Sequence, residues 1–73
     1  MDDYEIISGR FLSIFWIALK KINEVYIYSF LSGQEAEIMN KIIEHVYNEE
    51  LELDWFDAAG LGTKVTQIAI KNL

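Results

Sequence analysis

The chain has 73 residues, a formal net charge of −6 and no cysteine. That combination excludes disulfide scaffolds, thiolate zinc sites and thiol redox chemistry. It also argues against nucleic acid as a direct ligand, because six basic residues, scattered singly or as one pair, cannot neutralise a run of phosphates.

The length predicts one small domain, residues 1–73, which buries only about 60–65% of the surface its unfolded chain exposes. Half the residues are apolar, and two Trp, four Tyr and four Phe are more than so small a monomer easily hides. A homodimer with an aromatic interface drawn from Phe11, Phe15, Trp16, Tyr26, Tyr28 and Phe30 is therefore expected.

Residues 1–31 read two ways. As a helix from about Tyr4, Arg10, Ser13, Lys20, Lys21 and Glu24 fall near one side, with Phe11, Leu12, Phe15, Trp16, Leu19, Ile22, Tyr26 and Phe30 around the other. As strands, Phe11–Leu19 and Val25–Leu31 are rich in β-branched and aromatic residues, with Lys20–Glu24 as a turn that lacks glycine. Gly9 is a local break that separates a short N-terminal segment. The apolar run from Phe11 to Leu19 is about half the roughly 20 residues that a membrane-spanning helix needs. The acidic start, Asp2, Asp3 and Glu5, is unlike a secretory signal, so a cytoplasmic location away from the membrane is expected.

Residues 33–48 carry the clearest helical pattern, with Ala36, Ile38, Met39, Ile42, Ile43, Val46 and Tyr47 on one stripe. Ser32-Gly33-Gln34-Glu35 fits a capping box led by Ser32. Glu37 and Lys41 form an i,i+4 pair worth roughly 0.2–0.5 kcal/mol. Beyond this helix, Glu44, Glu49, Glu50, Glu52, Asp54 and Asp57 fall within fourteen residues, with no basic side chain between Lys41 and Lys64. The acids are interleaved with Leu51, Leu53, Trp55 and Phe56, which a disordered acidic tail lacks, so the stretch is expected to be folded with its acids outward.

Ala58-Ala59-Gly60-Leu61-Gly62-Thr63 then reads as a glycine loop, with Thr63 as the N-cap of a helix over Lys64–Leu73. The fold class that follows is all-α, a small bundle of three to four helices. The alternative is α+β with one central helix, residues 33–48, and two hairpins, the second pairing Leu51–Phe56 with Val65–Ile70.

Catalytic and metal motifs are weak. His45 is the sole histidine, on the polar side of its helix and read as solvated; with Glu49 it would give a metal only one nitrogen and one oxygen. Glu50, Glu52 and Asp54 alternate like calcium ligands, but the glycine and terminal glutamate of an EF-hand loop are missing. Gly60-Leu61-Gly62-Thr63-Lys64 lacks the gap of a nucleotide-binding loop. Ser13, Ser29 and Ser32 have no histidine in a triad arrangement. No enzyme, cofactor or metal is expected.

From Leu51 to Val65, the interleaved acids followed by Phe56-Asp57, Gly60-Leu61 and Thr63-Lys64-Val65 resemble a stretch of the phage anti-restriction DNA-mimic proteins. The likeness covers about fifteen residues and does not extend to residues 1–31. It implies an all-α acidic protein in which Glu49, Glu50, Glu52, Asp54 and Asp57 imitate phosphates. Charge spacing and resemblance lead to the same expectation: a small inhibitor that binds a basic, nucleic-acid-binding protein through Glu49, Glu50, Glu52, Asp54 and Asp57, with Trp55 or Phe56 as an apolar anchor. The competing expectation is a structural homo-oligomer whose acids only keep it dissolved.

Overall fold

The computed structural model describes residues 4–71. Its elements are β1 (Glu5–Phe11), β2 (Ile14–Lys20), β3 (Val25–Leu31), α1 (Glu35–Val46) and α2 (Trp55–Lys71). The three strands form one antiparallel sheet in the order β1-β2-β3, and both helices cover the same face of it. The fold is α+β, so the expected all-α bundle is overturned.

The reason is the period of the side chains in β2 and β3. A two-residue repeat puts Phe15, Ile17 and Leu19 on one side of the sheet, beside Tyr28 and Phe30 on the neighbouring strand, and all five are buried. A helix would spread the same five around its circumference. Onto them pack Ile38 and Ile42 of α1, Leu53 of the connecting loop, and Ala58, Leu61 and Val65 of α2. Ile38 and Ile42 are the expected centre of the α1 face, with Ile43 and Val46 half-buried beside them.

The Val25–Leu31 strand and the turn at 21–24 follow the strand reading, closed by Lys21 N–H donating to Glu24 O at 2.8 Å. The expected strand Phe11–Leu19 is split by a turn at Leu12-Ser13, which leaves Phe11 at the end of β1, and two other expectations also fail. Gly9 is not a break but the middle of β1, directly opposite Trp16, whose indole lies on it; a Cβ there would come within 2.5 Å of Trp16 Cζ2. The second hairpin does not form, because residues 55–71 are one continuous helix running through Gly60 and Gly62.

Those two glycines mark close approach rather than a loop. A Cβ at Gly60 would meet Ile6 Cδ1 at 2.7 Å, and one at Gly62 would meet Met39 Cε at 2.8 Å. α2 thus lies close to β1 on one side and to α1 on the other. Thr63 is inside the helix, with its hydroxyl bonded back to Ala59 O at 2.9 Å, and is no N-cap.

Capping of α1 also differs from expectation. Its N-cap is Gln34, which makes no side-chain cap bond there. Gly33, at φ +96°, makes the turn out of β3, and Gln34 Oε1 accepts from Leu31 N–H. The Glu35 carboxylate accepts from Gly33 N–H rather than from Ser32. On the solvent side, Lys41 turns toward Glu44 at 4.0 Å.

The aromatic interface expected of residues 1–31 is mostly interior. Phe15, Tyr28 and Phe30 belong to the core and Tyr26 packs against it; Phe11 and Trp16 point to the other side of the sheet. Among the described residues, no helix is long and apolar enough to cross a membrane.

Candidate functional site

The α1–α2 connection, residues 47–54, and the first turn of α2 carry all the residues expected to meet a partner. Leu53 is buried in the core and pins the connection from below. From the β2–β3 turn, Lys21 Nζ donates to Glu52 O, and the Tyr26 hydroxyl accepts from Glu52 N–H at 3.0 Å while donating to the Glu24 carboxylate. Asn48 Oδ1 accepts from Glu50 N–H at 2.9 Å and closes a local turn. The acidic stretch is therefore a fixed rim of the fold.

At its end, Asp54 and Asp57 cap α2 reciprocally. Asp54 Oδ1 accepts from Asp57 N–H at 2.8 Å, and Asp57 Oδ2 accepts from Asp54 N–H at 3.1 Å. Asp57 also receives Lys21 Nζ at 2.8 Å and is only 2% exposed. Burial alone would raise the Asp57 pKa; the Lys21 hydrogen bond and charge and the Asp54 backbone N–H outweigh it and hold the carboxyl below its ordinary value. The Asp57 hydrogen bond, against the opposing effect of burial, raises Lys21 in turn. The Tyr4 hydroxyl is buried beside this pair, and burial followed by the Asp57 charge raises its pKa.

Asp57 is thus committed to the fold and out of a partner's reach. The other expected residues are accessible: Glu49, Glu50, Glu52 and Asp54 are exposed, and Trp55 and Phe56 are 54% and 73% exposed. Tyr47, not among the expected residues, is 72% exposed and meets Trp55 edge-on at 5.6 Å between ring centres. Phe56 leans on Tyr4 at 5.7 Å. Four carboxylates and three large aromatic side chains share one rim.

Lys21 changes the electrostatics expected of this stretch, since a basic side chain thirty-six positions away in the chain neutralises one of its acids. Nothing near Asp57 in the sequence announces it. The Asp-x-x-Asp spacing of the cap, by contrast, is a readable signal.

His45 is not simply solvated. Its Nδ1 lies 2.7 Å from the Tyr28 hydroxyl, with the rings 5.5 Å apart, which ties α1 to β3. Burial pushes the Tyr28 pKa up to about 12, so this hydroxyl keeps its proton across the neutral range. Among the described residues no three His, Asp or Glu side chains gather as a metal cage requires. The groove of about 460 Å³ between α1 and α2, over Met39, Ala58, Gly62 and Thr66, has no charged lining residue. Compared with family models, curated proteins and solved structures, the chain has no match.

Proposed function

We propose that this chain is a small non-enzymatic binding module that presents the rim 47–56 to a basic surface of another protein. The surface that suits it best is the phosphate-binding channel of a nucleic-acid-handling protein, which it would occupy and so inhibit. The observation that carries this reading is the joint exposure of Glu49, Glu50, Glu52 and Asp54 with Tyr47, Trp55 and Phe56 on a stretch held rigid from below.

Each half of that set has a physical role. Exposed acids speed association with a positive surface and orient it, an effect that salt screens. Aromatic side chains that lose water at the centre of a contact supply most of the affinity. Because the rim is already ordered, little conformational entropy is lost on binding. The likeness of residues 51–65 to anti-restriction DNA mimics supports the reading through charge alone, since those proteins are all-α. Asp57 has no part in the contact. On this reading the chain would act in the cytoplasm, alongside such a partner.

The test is capture from host lysate on immobilised wild type and on Glu49→Gln/Glu50→Gln/Glu52→Gln, at low and at high salt. Asp54 is left alone because it caps α2. A basic protein held by wild type at low salt, released by high salt and held weakly by the neutralised variant is the expected result. Equal capture by both proteins removes the acidic rim from the binding reaction.

A further inference from the structure

Among the described residues nothing covers the face of the sheet opposite the helices, and most of that face is apolar. In register across the strands it carries Ile7, Ala18 and Ile27, then Gly9, Trp16 and Ser29, then Phe11, Ile14 and Leu31. Charge is confined to one end, where Glu5 stands opposite Lys20 beside Val25. Phe11 and Ile27 are each 69% exposed, and Ile7, Ile14, Val25 and Leu31 are also open to solvent.

We propose that this face is the interface of a homodimer, in which two sheets stack across a two-fold axis to give four layers ordered helix, sheet, sheet, helix. The area fits. With their exposed fractions, those side chains and Trp16 offer on the order of 600–700 Å² per chain, close to the roughly 800 Å² each partner buries in a standard interface and above what a monomer commonly leaves bare.

The shape fits as well. The molecule is a plate only 17 Å thick against 33 and 28 Å in its other extents, and all three strands are seven residues long with no offset in register. Gly9 lets the Trp16 indole lie on the strand beside it, which lowers the largest side chain of this face toward the sheet. Two such faces pack at the spacing of about 10 Å usual for stacked sheets.

Charge selects a second copy over an anionic bilayer. The net charge of −6 repels an acidic lipid surface, whereas the face itself carries one acid and one base that offset each other. The acidic rim is held by Tyr26 and Lys21 on the helix side of the sheet. Stacking face to face therefore keeps the acids of the two copies on the outer sides of the dimer, where both rims stay free.

Sedimentation equilibrium of the whole chain, from low to several hundred micromolar, tests this. The expected result is a weight-average mass that rises to twice the 8.5 kDa of the chain, and that stays at the monomer value for Phe11→Glu and Ile27→Glu with unchanged circular dichroism. Should the charged variants fail to fold, Phe11→Thr and Ile27→Thr should shift the midpoint of association to at least several-fold higher concentration. In a mixed-isotope sample, cross-copy contacts should join Trp16, Ile7 and Ile27. A chain that stays monomeric throughout overturns the proposal, and so does a dimer whose cross-copy contacts fall on the helices. A monomer that co-sediments with phosphatidylcholine vesicles assigns the face to lipid and overturns it too.

Discussion

On β2, Phe15, Ile17 and Leu19 lie under the helices with almost no exposed surface, while Ile14 on the other side of the same strand and Ile7 and Ile27 on its neighbours stand in solvent. The chemistry of the two faces is nearly the same, and only their cover differs. On the helix side, burial ties sheet and helices into one core, and that is where the fold draws its stability. On the bare side, the same residue types contribute strand propensity and cross-strand contacts of about 0.2–1 kcal/mol each. Apolar content therefore does not by itself say which residues hold the domain together.

The largest effects should come from the covered face. Ile42→Ala removes a fully buried side chain between α1 and the sheet and should cost about 2–4 kcal/mol through lost transfer energy and the cavity left behind. Urea denaturation followed by circular dichroism reads it directly. A loss well below 1 kcal/mol would mean that α1 does not rest on the sheet as described.

Next in size is the polar seam at the end of the core. Asp57→Ala removes half of the reciprocal cap and leaves Lys21 without its carboxylate, at a cost of about 2–3 kcal/mol. Asp57 has a folded pKa below its ordinary 3.8, so its contribution is present above that value and is lost as pH falls through the folded pKa. Lys21 is raised above its ordinary 10.5, so its contribution is complete below 10.5 and is lost as pH rises through its folded pKa. Acid titration of stability should show a steeper fall for wild type than for Asp57→Asn; parallel curves would detach the ion pair from stability.

On the bare face, Gly9→Ala should cost about 1–2 kcal/mol, because the new Cβ falls on the Trp16 ring. The same displacement should roughen the face and weaken self-association, which sedimentation would register. The smallest change is at the β1–β2 turn, where Leu12 has φ +57° and is exposed. Leu12→Asn, a residue that tolerates that conformation, should stabilise by about 0.5–1 kcal/mol in a thermal melt. Destabilisation would mean that the leucine makes a contact that the turn needs.

That turn also explains how much of the fold was legible. Leu12-Ser13 has no hairpin chemistry, so β1 and its pairing with β2 left no local signal. The amphipathic pattern of α1 was readable because its stripe follows one period over twelve residues. α2 was not, since Gly60 and Gly62 look like a loop unless Ile6 and Met39 are known to lie against them. At the rim, the exposed acids and Trp55 and Phe56 were legible from charge and apolar spacing. The commitment of Asp57 was not, because Lys21 reaches it through tertiary structure alone. Tyr47 was read as part of the buried stripe of α1, where the turn at the C-terminal end of α1 leaves it outside.

The claim that the two faces of one sheet do different work is tested most directly by the same substitution on both. Ile17 and Ile27 lie on adjacent strands and face opposite sides. Urea denaturation of Ile17→Thr and Ile27→Thr, at a protein concentration low enough to keep the chain monomeric, should give a loss of about 2–4 kcal/mol for Ile17→Thr and less than about 0.5 kcal/mol for Ile27→Thr. Equal losses, or a larger one at Ile27, would contradict the account.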